Sequence, residues 1–206
     1  IFMEIKISKK PVKYEEAVEY LDERVLQVSQ NKNKELIWFL EHKSVYTCGV
    51  NFNQKDVLDK KIKIIKTNRG GKITWHGPGQ LICYFVLDIS KRKKDIRKFI
   101  TAIENSIIET LRDFKIKSFS DRKNIGIWVL DKKEEKKIAA IGFRVKKWIA
   151  FHGFSLNLSN NLDSYKKIIP CGISGKGISK IDDFKKISKD KIINRLKINL
   201  IKNLEY

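Results

Sequence analysis

Short runs of almost wholly apolar residues constrain the fold of this chain more than any other feature. Two of them, Leu36–Leu40 (LIWFL) and Leu81–Ile89 (LICYFVLDI), have the composition of strands that are buried on both faces. Ile125–Leu130 (IGIWVL) and Ile138–Val145 (IAAIGFRV) are similar but contain glycine. A sheet with strands of this kind needs a packed layer against each of its faces.

Three further segments have the apolar spacing of amphipathic helices. Apolar residues recur every three or four positions over residues 14–28, 96–114 and 192–204, which predicts one helix in each segment. The helices and strands interleave without a strict strand–helix–strand repeat. We therefore predict an α+β fold of one domain over residues 1–206, with a central mixed β-sheet packed with helices, rather than a doubly wound sheet.

Two polar patterns refine the predicted sheet. The charged segment DKKEEKK at 131–137 separates two apolar runs and is typical of a hairpin tip with a solvated face. Further along, Phe154, Leu156 and Leu158 alternate with polar residues. This alternation predicts a strand that buries only one of its faces.

The chain is strongly basic, with 44 Lys and Arg against 24 Asp and Glu and a formal net charge of +20. The sequence leaves three interpretations open: compositional drift towards Lys, Ile and Asn, a surface for an acidic macromolecular partner, and direct nucleic-acid binding. The hydrophobic content of 42% excludes a disordered chain.

Cysteine content and hydropathy indicate the compartment. Three cysteines are too few for a disulfide scaffold, and a reducing cytosol is the simplest setting. No apolar run approaches the roughly 18–20 residues of a membrane span, and the first residues lack the long apolar segment of a secretory signal. We therefore expect a cytoplasmic protein with no membrane partner.

A glycine-rich stretch, Arg69–Gln80 (RGGKITWHGPGQ), runs directly into the apolar strand at Leu81. Glycine permits a positive φ and a close approach of the backbone to a ligand. A tight hairpin before the strand would explain the glycines, but it would not explain Arg69 and His76. The stretch is therefore a candidate ligand-binding loop, with a structural turn as the alternative.

Cys171 is the candidate reactive thiol. It lies between Pro170 and Gly172 on a constrained loop, whereas Cys83 lies in an apolar run, as structural cysteines usually do, and Cys48 is ambiguous. A thiol nucleophile needs a cationic or basic neighbour that lowers its pKa, and the three histidines and a lysine are candidates. No pair of cysteines has metal-ligand spacing, so we predict no metal site.

Lys137 is the lysine with the most unusual context. It is the last charge of a polar run and leads directly into IAAIG, so a strand is expected to hold its stem. The small residues Ala139, Ala140 and Gly142 leave space beside that strand for a ligand.

A second His-Gly pair occurs in Phe151–Asn157 (FHGFSLN), where His152 and Gly153 interrupt a strand. Two interpretations of His152 remain open: it is a structural residue of the strand, or it belongs to the same site as His76.

The chain resembles the lipoyl(octanoyl) transferase family, the octanoyl-[acyl carrier protein]:protein N-octanoyltransferases (LipB family), in four stretches that follow the family's order. They are LEHKSVYTCG at 40–49, RGGKITWHGPGQLICY at 69–84, KIAAIGFRVKKWIAFHGFSLN at 137–157 and PCGI at 170–173. The resemblance implies a fold like the catalytic domain of biotin and lipoate protein ligases.

The resemblance also implies roles for individual residues. Cys171 matches the acyl-thioester nucleophile, and Lys137 matches the lysine that lowers its pKa. Three segments match those that line the acyl pocket. The implied substrate-binding residues are Arg69, Gly70, Gly71, Lys72, Ile73, Thr74, Trp75 and His76, then Ala140, Ile141 and Gly142, and finally Gly153, Phe154 and Ser155.

The implied activity is transfer of an octanoyl group from octanoyl-acyl carrier protein to a specific lysine of lipoyl domains, the first step of lipoate biosynthesis on proteins. The implied acceptors are the lipoyl domains of 2-oxoacid dehydrogenase complexes and the glycine cleavage H protein, with no specific nucleic acid. Because the donor is already a thioester, neither ATP nor a metal is implied. Both implied protein partners are typically acidic, so the charge of +20 would attract them to this chain.

An ATP-dependent lipoate-protein ligase is the alternative within the superfamily. Such ligases usually carry an HDxGN-like motif where this chain has HGPGQ, and they need no cysteine at the PCGI position. A basic nucleic-acid-binding module is the alternative of another class, but it would need clustered arginines interleaved with aromatic residues. The transferase is therefore favoured.

The chain departs from the family's pattern at two places. Phe154 and Ser155 stand where Leu and Ala are commoner, and Ile178–Ile181 stands in place of a Thr-Ser-Leu-like stretch. These differences bear on the shape of the pocket and leave the cysteine and the lysine in place.

Overall fold

The structure is a computed structural model that describes residues 3–170 and 176–205. Its three α-helices are α1 (Tyr14–Ser29), α2 (Ile96–Asp113) and α3 (Lys189–Leu204). The strands are β1 (Met3–Ile7), β2 (Glu35–Leu40), β3 (Val45–Cys48), β4 (Ile64–Lys66), β5 (Ile73–His76), β6 (Gln80–Asp88), β7 (Ser118–Ser120), β8 (Ile127–Asp131), β9 (Glu134–Lys146), β10 (Ile149–Asn157) and β11 (Gly177–Ile178).

The main sheet has eight strands in the order β1-β2-β6-β10-β9-β8-β7, with β11 paired to β9. The pairs β1–β2 and β11–β9 are parallel and the others are antiparallel. A second sheet of three strands has the order β4-β3-β5. The predicted α+β fold with a central mixed sheet is confirmed.

The central strands β2 and β6 are buried on both faces, as the apolar runs predict. Alternate residues, such as Phe39 and Phe85, pack in one core cluster with α2 and α3. The residues between them, such as Trp38 and Val86, pack in a second cluster with α1. Each face of the sheet therefore has its own helical layer.

The three predicted helices are confirmed, with small differences at their ends. The last one begins at Lys189 rather than at Ile192. Helix α2 begins after Asp95, whose side chain accepts a hydrogen bond from the backbone N–H of Lys98 at 2.9 Å and so caps the helix. No helix of the described residues combines the length and the apolar character that crossing a bilayer requires.

The predicted hairpin at 131–137 exists, but its tip is shorter than the charged run. Only Lys132 and Lys133 lie in the turn, with φ of 49° and 71°, and β9 already begins at Glu134. A two-residue turn with positive φ at both positions matches the twist of the strands it joins.

The prediction that the strand at 154–158 buries only one face is wrong. All nine residues of β10 are buried. The polar residues avoid solvent because Ser155 lines an internal cavity and Asn157 is hydrogen bonded to Gln80 and to the carbonyl of Ser179.

Candidate active site

A cavity of about 600 Å³ lies beside β9 and β10, and two loops form part of its wall. One loop is the glycine-rich segment 69–72, and the other is the segment 123–125 before β8. The residues that line the cavity are Asn51, Arg69, Gly70, Gly71, Lys72, Ile73, Thr74, His76, Ile82, Tyr84, Ile100, Lys123, Asn124, Ile125, Lys137, Ala140, Ile141, Gly142, Phe143, His152, Gly153, Phe154 and Ser155. Its size falls within the usual range of small-molecule sites.

The cavity brings together nearly all the described residues that the sequence singles out. Lys137 and every predicted substrate-binding residue except Trp75 line it. Trp75 turns instead into the core of the small sheet, where its Nε1 donates to Ser44 Oγ at 2.9 Å. The roles of these residues remain predictions, and the predicted nucleophile, Cys171, lies outside the described residues.

Two other expectations about single residues can be compared with the structure. Ala139 was expected beside the ligand but lies in the hydrophobic core, because neighbouring residues of a strand point to opposite faces and Ala140 takes the cavity side. Cys83 is buried in the core, as expected for a structural cysteine, and burial raises the pKa of its thiol well above the usual value.

The side chain of Lys137 is buried, with 4% of its surface exposed. Its Nζ donates a hydrogen bond to the carbonyl of Ile125 at 3.0 Å and lies 4.8 Å from the centre of the Trp128 ring. It forms no ion pair with any residue that the structure describes. A buried ammonium group without a carboxylate partner is costly, so this cation is available to stabilise an anion in the cavity.

Gly126 makes room for this lysine. A Cβ atom at Gly126 would lie 3.1 Å from Lys137 Cε and 2.7 Å from the carbonyl oxygen of Ala139, and its φ is +139°. A side chain at this position would therefore collide with β9 and strain the backbone.

Lys136, which directly precedes Lys137 in the chain, has a different environment. Its Nζ is paired with Asp131 Oδ2 at 2.8 Å, and it does not line the cavity. The alternation of side chains along β9 separates the two lysines, so only Lys137 reaches the cavity.

Arg69 fixes the glycine-rich loop from inside. Its Nη2 donates to the backbone carbonyl and hydroxyl of Thr47 at 3.0 and 2.9 Å and to the carbonyl of Lys72 at 2.9 Å. Its Nη1 donates to the carbonyl of Gly70 at 2.9 Å, while its buried Nε has no partner among the described residues. The loop thus carries a buried positive charge that neutral oxygens surround.

Two histidines and a tyrosine form a buried polar cluster at the cavity. His42 Nδ1 lies 2.9 Å from the carbonyl of Val12, which can only accept, so His42 Nε2 accepts the hydrogen bond from Tyr84 at 2.8 Å. His76 Nδ1 lies 2.7 Å from Gln80 Oε1. Since that oxygen also accepts, the proton of His76 is on Nδ1 and Nε2 keeps its lone pair.

Burial keeps these histidines neutral. Loss of solvation lowers the pKa of His42 to about 4, and the same cause, with smaller contributions from His42 and Arg69, lowers the pKa of His76 to about 3. A neutral imidazole can exchange hydrogen bonds with a substrate without adding a charge.

His152 also lines the cavity, which favours the interpretation that the two His-Gly pairs share one site. Its Nε2 lies 2.9 Å from Asn68 Oδ1, and its buried Nδ1 has no partner among the described residues. Its φ is +70°, an uncommon value for a residue with a side chain. Burial, and then the nearby charges of Arg69 and Arg144, lower its pKa to about 4.

The charge of the cavity has one sign. Arg69, Lys72, Lys123 and Lys137 line it, and no Asp or Glu does so among the residues that the structure describes. Neither does any group of three or more His, Cys, Asp or Glu in those parts of the chain have the arrangement of a metal site. Such a cavity stabilises thiolates and oxyanions rather than cations.

Several lining residues were missed by the sequence analysis. They come from outside the four motifs or from the apolar positions between the motif residues, and they are Asn51, Ile82, Tyr84, Ile100, Lys123, Asn124, Ile125 and Phe143. Ile82 and Tyr84 were detectable in part, because residues two apart on a strand share a face. The segment 123–125 has an ordinary composition and gave no signal.

Comparisons with known proteins agree on one family. The Lipoyl protein ligase A/B catalytic domain matches residues 13–201. An octanoyltransferase of Bartonella tribocorum is 44% identical over 187 residues, which cover 86% of this chain and 76% of the relative. An octanoyltransferase of Parvibaculum lavamentivorans is 41% identical over 187 residues, which cover 87% of this chain and 82% of the relative.

Solved structures of similar fold are ligases of more distant sequence. A lipoate-protein ligase A bound with ATP has a TM-score of 0.76 at 17% identity, over 99% of this chain and 86% of that one. The biotin protein ligase from Aquifex aeolicus has a TM-score of 0.55 at 14% identity, over 100% of this chain and 70% of that one. At these identities the likeness establishes the fold, whereas the octanoyltransferase relatives establish the branch. The chain belongs to the octanoyltransferases of the lipoyl protein ligase A/B catalytic domain family.

Proposed function

We propose that this chain, as a single catalytic domain over residues 1–206, transfers an octanoyl group from octanoyl-acyl carrier protein to a lysine of a lipoyl domain through a thioester on Cys171. The observation that carries the proposal is the buried Lys137 ammonium in a relative of octanoyltransferases, which lies on the wall of a cavity that no Asp or Glu lines in the described parts of the chain. We place the reaction in the cytoplasm, and it needs neither ATP nor a metal.

In the first step, the thiolate of Cys171 attacks the carbonyl carbon of the octanoyl thioester. A carbon–sulfur bond to Cys171 forms, the bond to the carrier's sulfur breaks, and the carrier takes the proton of Lys137 and leaves as a thiol, so that Lys137 is neutral for the second step. The Lys137 ammonium stabilises the attacking thiolate and so raises its share at neutral pH. Backbone N–H groups of the glycine-rich loop are candidate hydrogen-bond donors to the oxyanion of the tetrahedral intermediate.

In the second step, the neutral amine of the acceptor lysine attacks the acyl group on Cys171. An amide bond forms, the Cys171 thiolate leaves, and the proton of the amine passes to a neutral Lys137 or to the departing sulfur. The two thioesters are of similar energy while the amide is more stable, so the second step makes the overall reaction favourable.

The cavity offers an apolar wall for the acyl chain. Ile73, Ile100, Ile141, Phe143 and Phe154 line it. Burial of an eight-carbon chain contributes about 5 kcal/mol at about 0.8 kcal/mol for each CH₂ group. That energy, together with docking of the carrier, selects the donor.

The acceptors that fit the proposal are the lipoyl domains of 2-oxoacid dehydrogenase complexes and the glycine cleavage H protein. Each presents a single lysine to the thioester, and nucleophilic catalysis allows the two proteins to dock in turn. Val50, which precedes the lining residue Asn51, has an exposed side chain, and so does Ile125 in the segment 123–125. Apolar surface is therefore available near the cavity for either protein partner.

Intact-mass measurement tests the proposal. After mixing with octanoyl-acyl carrier protein, the chain should gain one octanoyl group that hydroxylamine removes, and peptide mapping should place it on Cys171. The Cys171→Ala variant should gain none, although Cys48 and Cys83 remain. An adduct on that variant, or transfer that requires ATP and free octanoate, would refute the thioester mechanism.

Substitution of Lys137 tests its role. Lys137→Met keeps the length of the side chain and removes the charge, so the apparent pKa of the Cys171 thiol should rise by about one to three units and transfer should fall by about 100-fold or more. Lys136→Met is the matched control, because Lys136 pairs with Asp131 outside the cavity. Equal pH profiles of alkylation in the two variants would remove Lys137 from the mechanism.

A further inference from the structure

Trp128 contacts Lys137 but does not itself line the cavity. The residue is only 1% exposed, and its Nε1 donates a hydrogen bond to the carbonyl of Asn124 at 2.9 Å. Its ring centre lies 4.8 Å from Lys137 Nζ and 4.7 Å from Lys176 Nζ. The indole is thus fixed to the segment 123–125, which lines the cavity, and it faces two ammonium groups.

The two ammonium groups depend on this ring to different degrees. Lys176 Nζ is paired with Glu135 Oε2 at 2.5 Å and lies 3.9 Å from Asp121 Oδ2. Lys137 has no carboxylate in the described parts of the chain, only the carbonyl of Ile125 and the face of Trp128. The negative face of an indole is the strongest aromatic partner for a cation, and the contact is worth most when it is desolvated, as it is here.

The position of Lys176 in the chain gives the contact a second consequence. Lys176 directly follows residues 171–175, and the next two residues form β11, which pairs with Lys136 and Lys137 of β9. Trp128 therefore contacts both the proposed lysine and the residue that follows the segment with the proposed nucleophile.

From this arrangement we infer that Trp128 is a positioning residue for acyl transfer, which directs the ammonium group of Lys137 into the cavity. The inference rests on the proposed function, because it assigns the ring to the support of the Lys137 and Cys171 pair. Trp128 does not line the cavity, so its proposed role is exerted through Lys137.

Removal of the ring should change the pH profile of the thiol. Without the π face, the ammonium of Lys137 is held less firmly in the cavity and stabilises the Cys171 thiolate less. In Trp128→Leu the pH midpoint for alkylation of Cys171 by iodoacetamide should rise by about one unit, the shift that a desolvated cation–π contact supports. Trp128→Phe keeps a weaker aromatic face and should restore part of the shift.

Trp38 provides the matched control. It is also buried, at 3% exposure, its Nε1 donates to Ser8 Oγ at 2.9 Å, and Lys6 Nζ lies 4.4 Å from its ring centre. Trp38→Leu removes the same kind of side chain and the same kind of contact at a residue that does not line the cavity and that contacts Lys6 rather than Lys137. It should lose comparable stability and keep the wild-type midpoint.

If Trp128→Leu does not fold, fluorinated tryptophan can test the same contact while it keeps the shape of the side chain. The four tryptophans can be replaced together by fluorotryptophans, in which added fluorine weakens the π face progressively. The midpoint should rise with the number of fluorine atoms, and it should not respond to fluorination in the Trp128→Phe background.

The outcomes separate the two proposals. A wild-type protein that gains no octanoyl group on Cys171 would refute the proposed function and this inference with it. If the wild type gains the adduct while fluorination and Trp128→Leu leave the midpoint unchanged, the inference alone is wrong. A midpoint that rises equally in Trp38→Leu would also overturn it, since the effect would then be a general loss of packing.

Discussion

The three histidines of this chain are buried and neutral, which predicts a marked loss of stability in mild acid. Burial lowers the pKa of His42 and His152 to about 4 and that of His76 to about 3, against 6.5 in the unfolded chain. The unfolded state therefore binds more protons, so stability is complete above pH 6.5 and is lost as the pH falls towards these lower values. Between pH 7.5 and pH 5 each histidine should contribute a loss of about 2 kcal/mol, and the three together about 6 kcal/mol.

This magnitude depends little on the individual pKa values. At pH 5 a histidine whose folded pKa is 4 or lower is almost unprotonated in the folded state, so the loss is set mainly by the unfolded pKa. Carboxyl groups take up few protons at or above pH 5, since their ordinary pKa values are near 4. The interval from pH 7.5 to pH 5 therefore reports mainly on the histidines, with Glu104, whose pKa burial raises, as the carboxyl group that also responds.

Urea unfolding at pH 7.5 and pH 5 measures the effect. The free energy of unfolding of His42→Gln should fall by about 2 kcal/mol less over this interval than that of the wild type. Tyr84→Phe is the control, because it removes the hydroxyl that donates to His42 Nε2 but keeps the titrating group, so its loss between the two pH values should match the wild type. Equal losses in the wild type and His42→Gln would refute the conclusion that His42 is buried without a proton on Nε2.

Two further predictions concern the packing that holds the cavity in place. Glu35→Gln should lower the free energy of unfolding by about 3–5 kcal/mol in urea titrations, because it leaves the fully buried Arg92 without the carboxylate that it contacts at 2.6 and 2.8 Å. Glu4→Gln, which changes the partly exposed carboxylate of the Arg24 pair, should cost about 1 kcal/mol or less. Gly153→Ala should abolish folding or lower the melting temperature severely, because its Cβ would lie 1.9 Å from the carbonyl oxygen of Cys83, whereas Gly142→Ala, with its nearest neighbour at 3.4 Å, should fold and mainly narrow the cavity.

The helices and the central strands of the main sheet were predictable because local pattern decides them, whereas the short strands of the second sheet were not predicted. An apolar run such as LIWFL has no polar residue to expose, so a position in the centre of the sheet is the main solution open to it. The half-buried pattern at 154–158 failed because it assumes that a polar side chain faces water. Ser155 and Asn157 face a cavity and a hydrogen-bond network instead, and no local rule distinguishes these from solvent.

The site was predictable only where a motif marks it. Which of two neighbouring residues reaches the cavity depends on strand register, and the register of β8 against β9 shifts between Ile127 and Trp128. The pairing of His42 with Tyr84 joins residues 42 positions apart through the order of strands in the sheet. Trp128 was assigned only to a buried strand, since nothing in the sequence places its ring against Lys137.

The charge of +20 consists of two parts with different physical causes. Surface lysines such as Lys13 and Lys166 pair with carboxylates one turn away, with both partners well exposed. Such pairs contribute little to stability, and compositional drift is enough to explain them. Arg69 and Lys137 are buried among carbonyl oxygens and an aromatic ring, without a carboxylate partner among the described residues, an arrangement that costs stability and that drift does not explain. In the proposed mechanism, loss of a surface lysine would therefore alter how fast an acidic partner docks. Loss of Arg69 would release the glycine-rich loop, and loss of Lys137 would alter the chemical step itself.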